Sequence, residues 1–440
     1  MYVRPRVEQS GEPRAIPSLP LPDINVASKP RFGAQSAREA VLLAFCDPLP
    51  EPCSRLFSFS TKEWTNLLHW LDFSGLALYF LDRLVELDLC DLPPSAVFAR
   101  LYLNLMDNAE RTRGMISESI AIQQQFQEAG LSYANLKGLS LWPSSVPKPE
   151  LRSQFDLDFL VGEQSAPQAR RILERRGYRL YAISGRSWEF KLNERPGISL
   201  NDIYKNLRSY AVELHIEPGD RGSSSPLERL ERRELHGMSM PVLSPVDLLL
   251  GQGLHAYKHT CGEFIRASHL LEFRRHVLSH RDDNTFWDAF ESAGKENPRA
   301  SLGLAVVTLL ITRVMGEFAP EALTRWTVRD LSWSVRLWVE RYGHRIVLGS
   351  YPGSKLYLLL RRETEFASTP GRRSLRQALL PSRLPPPVIR AFPNEALPVR
   401  IRRAWMQVEL VLLRLRFHVV EGLRYALESR RWRRMKRFAQ

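Results

Sequence analysis

Two aspartates separated by one residue, Asp156 and Asp158, stand inside the apolar run Phe155-Asp156-Leu157-Asp158-Phe159-Leu160-Val161. Aspartate is depleted from strands, and a buried carboxylate without a partner is costly, so the pair needs a cause. Residues two apart in an extended chain share a face. Both carboxylates therefore point one way, while Leu157, Phe159 and Val161 point into a core. Two carboxylates so placed suit a hard, oxygen-preferring cation such as Mg²⁺. A pair of such ions can activate a hydroxyl and neutralise a triphosphate during phosphoryl or nucleotidyl transfer. A strand whose end emerges into solvent would account for the same motif.

A second stretch, Val212-Glu213-Leu214-His215-Ile216-Glu217, alternates cleanly between apolar and polar. Glu213, His215 and Glu217 share one face. That face could supply a third metal carboxylate or a general base, or simply be the wet side of an edge strand. A Gly turn, Lys137-Gly138, follows the apolar segment Leu131–Leu136. Backbone N–H groups freed at such a turn can hold phosphate, and Lys137 and Arg152 can add positive charge. An ordinary connecting turn is the simpler account of the Gly taken alone.

Taken together and in order, these pieces resemble a known family. Leu136-Lys137-Gly138, Arg152, Asp156 to Val161, Gly177-Tyr178 and Val212 to His215 are similar to the uncharacterised nucleotidyltransferase-like family of the DNA polymerase β superfamily. The later Ser244 to Leu250 and Leu254 to His259 resemble the helical region that follows in that family, so the likeness covers about residues 40 to 345. It implies Mg²⁺-dependent transfer of a nucleoside monophosphate from an NTP to an unknown acceptor, whether small molecule, protein or RNA. Asp156, Asp158 and Glu213 would hold two Mg²⁺ ions, with Glu213 also helping to deprotonate the acceptor. Lys137, Gly138, Ser140 and Arg152 would meet the nucleotide, and His215, His255 and Lys258 are candidates to flank the cleft. The chain departs from the family in carrying Leu139 after the turn Gly, Ile216 after the strand His, and a long Pro-rich loop from Leu139 to Phe155. Two other functions fit the same pattern: a catalytically inactive member acting as a binding or scaffold protein, and an RNA-modifying transferase.

The elements that must position these residues form an α+β pattern, a small mixed sheet flanked by N- and C-terminal helical regions. Residues 1–34 are Pro-rich and aperiodic and read as a disordered leader. Residues 35–119 read as helical, with Thr61 as N-cap of one helix. Residues 120–245 form the expected core: a helix to Ala129 stopped by Gly130, strands over Leu131–Leu136 and Asp156–Val161, a helix over Ala166–Arg176, then strands over Tyr178–Ile183, Trp188–Asn193 and Ala211–Glu217. Residues 246–345 return to helix. Residues 346–398 read as irregular and Pro-rich, and 399–440 as a basic amphipathic helix.

Composition is that of a globular chain: 440 residues, 44% hydrophobic and 25% charged. The best apolar run, Leu302–Ile311, is too short to span a bilayer, and no apolar stretch follows Arg4 and Arg6 to make a signal peptide. Cys46, Cys53, Cys90 and Cys261 show no zinc spacing, which predicts reduced thiols and a cytoplasmic protein. The net charge is +14, and the last 42 residues carry twelve Lys/Arg against three Glu, hence +9 of it. That tail is expected to dock an apolar face of Trp405, Leu412, Leu415, Phe417, Val420, Leu423 and Leu427 on the helical region, or to touch RNA or an anionic membrane through its arginines. His255 and His259 are spaced i, i+4, which can bind metal. Glu263 is then the nearest third ligand, and packed helix histidines are the simpler reading.

Overall fold

The computed structural model describes residues 34–192, 203–206, 210–217, 225–235, 237–364, 374–380 and 396–438. The expected leader, apart from its last residue, therefore lies outside the described residues, as do the prolines from 381 to 393.

Four helices open the described chain: α1 (Ala34–Leu43), α2 (Thr61–Ser74), α3 (Ala77–Glu86) and α4 (Ser95–Glu128). The N-cap of α2 is Ser60, not Thr61: its hydroxyl accepts from the Glu63 N–H while Glu63 reaches back to the Ser60 N–H. α4 is one continuous helix of 34 residues and runs straight through position 120, where the sequence texture changes. Its first half buries Val97 and Leu101 in the helical core, and its second half buries Met115, Ile122 and Phe126 against the sheet. It ends at Gly130, whose φ of 66° lets the Leu131 N–H reach the Phe126 carbonyl at 2.9 Å.

The sheet follows. Its strands are β1 (Tyr133–Leu136), β2 (Asp156–Gly162), β3 (Arg179–Ser184), β4 (Ser187–Lys191), β5 (Ala211–Glu217), β6 (Leu230–Leu235) and β7 (Met238–Leu243), in the order β3-β4-β5-β2-β1-β7-β6. β2 runs parallel to β5 and antiparallel to β1. Leu157, Phe159, Val161, Val212 and Leu214 pack against α4 and α5 (Ala166–Arg175). The opposite face of the same two strands is therefore left for polar residues.

The chain then returns to helix: α6 (Pro245–Thr260), α7 (Ala267–Ser279), α8 (Asn284–Lys295), α9 (Ala300–Met315), the short α10 (Glu321–Thr324) and α11 (Trp333–Val347). These share one core with the N-terminal helices, in which Trp64, Leu71 and Phe80 join Phe273, Leu304 and Trp338. The stretch expected to be irregular contains two further helices, α12 (Tyr357–Thr364) and α13 (Leu375–Leu379). The physical reason is the run Leu356–Leu360, which is buried throughout and gains more from burial than an extended segment could.

α14 (Leu397–Phe438) is the expected C-terminal helix, but the stripe it docks by keeps only Phe417 of the expected face. Phe417, Tyr425 and Trp432 are buried, whereas Trp405, Leu412, Leu415, Val420, Leu423 and Leu427 are exposed. The docked stripe is fixed by polar contacts: Glu363 accepts from Trp432 Nε1 at 3.0 Å and from Lys436 Nζ at 2.8 Å. Among the described residues, no helix is long and apolar enough to cross a membrane.

Candidate active site

Strand register assembles the site. β2 and β5 pair with Asp158 opposite Glu213, and β1 pairs with β2 with Leu136 opposite Asp158. Lys137 follows Leu136, and its departure from extended backbone, at φ 47°, brings its side chain beside both carboxylates. Its Nζ lies 2.8 Å from Asp158 Oδ1 and 3.9 Å from Glu213 Oε2. His215 completes the cluster, with Nε2 at 2.8 Å from Asp158 Oδ1 and 3.3 Å from Glu213 Oε2. One ligand atom each from Asp158, Glu213 and His215 falls within 4.8 Å of the others. Asp156 faces the same way, one strand repeat along, outside that group.

The electrostatics follow from this packing. Glu213 is held well below the usual carboxylate range, first by its hydrogen bond with His215 and then by the Ser187 hydroxyl, against the opposing effect of burial. Burial pulls the His215 imidazole down, but hydrogen bonds with Asp158 and Glu213 outweigh it and raise its pKa above the ordinary value. Burial raises the Asp156 carboxyl, and the charge on Asp158 raises it further. Crowded carboxylates thus ask for positive charge, and here Lys137 supplies it.

Lys137 is also the conformational outlier of the site, a non-glycine residue at φ 47°. Such a conformation costs on the order of 1–3 kcal/mol and marks sites where surrounding structure over-determines the backbone. The next residue, Gly138, has φ 43°, and a Cβ there would lie 2.6 Å from Gln154 Oε1. Only glycine fits that turn without displacing Gln154.

Several residues expected at the nucleotide are engaged elsewhere. Ser140 is fully buried and its Oγ donates to the Lys137 carbonyl at 2.7 Å, which locks the turn. The Gly138 turn leads only into a four-residue 3₁₀ segment, Gly138–Leu141, not a long helix. Arg152 donates through Nε to Glu272 at 3.1 Å, and Tyr79 donates to the same carboxylate oxygen at 2.9 Å. That network ties the loop before β2 to α3 and α7. His255 does not join the carboxylates. It lines a cavity of about 130 Å³ with Lys137, Arg152, His269 and Glu272. Lys258 is exposed and makes no hydrogen bond to the cluster.

Sequence reasoning missed Ser187, Glu272 and His269. Ser187 could have been found by pairing β4 with β5, where it stands opposite His215. Glu272 and His269 carry no local signal, because they arrive from α7.

With that geometry in place, comparison with known proteins settles the class. The profile of the uncharacterised nucleotidyltransferase family matches residues 60–316, more than half of the chain, and the protein belongs to that family. Among solved structures, an antigenic nucleotidyltransferase-like protein from Paracoccidioides brasiliensis is similar at 13% identity and a TM-score of 0.29, over 50% of this chain and 98% of that one. No curated protein matches the chain.

Proposed function

We propose that the protein is a Mg²⁺-dependent nucleotidyltransferase that moves a nucleoside monophosphate from an NTP to an acceptor. The observation that carries this reading is the β2–β5 register, which sets Asp158 beside Glu213 on the face turned away from the core. Family membership supports it. The donor set fits the ion: Asp156, Asp158 and Glu213 offer hard carboxylate oxygens, and Asp156, its carboxyl raised first by burial and then by the charge on Asp158, gains from a cation among them.

Asp156, Asp158 and Glu213 are the residues that would hold Mg²⁺, which when bound activates the acceptor hydroxyl and neutralises phosphate charge. His215 and Ser187 fix the Glu213 carboxylate in place. Lys137, which lies 2.8 Å from Asp158, would with a cation bound there be available to a phosphate oxygen. The acceptor class includes RNA, for which the Arg-rich end of α14 would provide phosphate contacts.

The test is incubation with each α-labelled NTP, Mg²⁺ and a cell extract, comparing wild type with Asp156→Ala/Asp158→Ala. Transfer by wild type and its loss in the double variant are expected. Equal transfer by both would remove these residues from the chemistry. One observation favours a second reading: Lys137 already neutralises Asp158, as a nucleotidyltransferase fold kept for binding would require. Absence of transfer by wild type with all NTPs would select that scaffold reading.

A further inference from the structure

A second cluster of ligand-type side chains lies apart from the carboxylates. His255 and His259 are one turn apart on α6, and His269 comes from the first turn of α7. The six residues Cys261 to Arg266 turn the chain so that the two helices meet. The three rings pack against one another with centroids 4.5 to 4.9 Å apart. One nitrogen from each lies within 4.8 Å of the others.

Of their nitrogens, His269 Nδ1 is buried with nothing to satisfy it. An orphaned buried nitrogen costs about 1–3 kcal/mol, and this one sits among two further imidazoles. Burial first, then the other imidazoles of the cluster (for His255 and His269) and the cationic side chains around it, hold all three well below the ordinary histidine range, His255 to about 3 and His259 to about 4. They are therefore neutral near pH 7, the form that donates a lone pair to a metal.

We propose that His255, His259 and His269 form a binding site for a borderline-soft divalent metal of the Zn²⁺ class, with a fourth position open to the cavity shared with Lys137 and Arg152. Three imidazoles and an open position are the donor set of tetrahedral Zn²⁺, and imidazole selects such ions over Mg²⁺. Bonds of about 2.05 Å set ligand nitrogens roughly 3.4 Å apart, so small ring rotations close the present spacing. Glu263 is not the third ligand: Arg414 holds it at 2.9 Å. Lys137, Arg152, Lys258 and Arg266 surround the cluster with positive charge. A dication there is stabilised when the fourth ligand is an anionic oxygen, and the cavity lined by His255 and His269 gives it access.

The test uses the untagged full-length chain, stripped by chelator and titrated with Co²⁺ and with Zn²⁺. Wild type is expected to bind one equivalent with the visible absorption of tetrahedral Co²⁺, displaced by Zn²⁺. Inorganic phosphate is expected to shift that band, and an unshifted band overturns the open position. His269→Ala and His259→Ala, each checked for folding by circular dichroism, should lose affinity at least about 10-fold. Asp158→Asn/Glu213→Gln should leave the band unchanged, which separates this site from the carboxylate cluster. Failure of wild type to bind at one equivalent overturns the proposal without any variant. So does a band lost in Asp158→Asn/Glu213→Gln but kept in His269→Ala.

Discussion

Lys137 and a metal ion compete for the same carboxylates, and the competition can be measured. Lys137→Met removes the ammonium that lies 2.8 Å from Asp158 Oδ1 while keeping the stem and the φ 47° backbone. Breaking a fully buried ion pair costs about 3–5 kcal/mol. Here the Asp158 side chain is 4% exposed but that of Lys137 is 34% exposed, and His215 remains bonded to Asp158. The loss should therefore be nearer 1–2 kcal/mol. In EDTA, Lys137→Met is expected to be less stable than wild type by about that amount in chemical denaturation. In Mg²⁺ the sign of the comparison changes. Wild type must displace its own lysine before the ion can bind, whereas the variant need not. The same 1–2 kcal/mol then appears as roughly 5- to 30-fold tighter Mg²⁺ binding by the variant, measurable by isothermal calorimetry. At saturating Mg²⁺ the stability gap should close. A variant as stable as wild type in EDTA, or with the same Mg²⁺ affinity, refutes the claim that Lys137 stands in the place of a cation.

Two further outcomes are expected. Gly138→Ala should lower stability by about 1–2 kcal/mol, because an L-residue is forced to positive φ and its Cβ meets Gln154 at 2.6 Å; denaturation as stable as wild type would show that the turn relaxes freely. The docking of α14 should weaken in acid. Burial raises Glu363, but the hydrogen bonds from Lys436 and Trp432 outweigh it and leave its pKa below the ordinary 4.5. A depressed carboxylate stabilises the fold above its unfolded pKa, and that stability is lost as pH falls through the folded value. Amide hydrogen exchange across 397–438, corrected for intrinsic rates, should be less protected at pH 3 than at pH 7, with a smaller difference in Glu363→Gln. Equal protection at both pH values would exclude the latch.

How much of this was legible in the sequence depended on whether the signal was local. The alternation in Asp156–Val161 and in Ala211–Glu217 is strong, because one face is buried against α4 and α5, and both strands appear where the pattern puts them. β6 and β7 were invisible. Arg232, Arg233 and Glu234 give their hairpin no apolar alternation, and Pro241, which lacks a ladder donor, is tolerated opposite Arg232 near the sheet edge. The C-terminal helix was legible as a helix but not in its orientation. Periodicity favoured the more hydrophobic stripe, while the stripe that docks includes Glu421 and Ser429 and holds through specific partners such as Glu363.

The carboxylate cluster shows the same division in its sharpest form. Spacing within one strand predicts which side chains share a face, and it correctly put Asp156 with Asp158 and Glu213 with His215. It contains nothing about which residue on the neighbouring strand stands opposite, and that register decides the chemistry. Asp158 faces Glu213, so it is Asp158, not Asp156, that shares hydrogen-bonding distance with His215 and Lys137. A slip of one residue would turn Glu213 into the core beside Phe159. The buried alternation that fixes the register against α4 and α5 is therefore also what aligns the carboxylates, and the core and the site are two faces of one constraint.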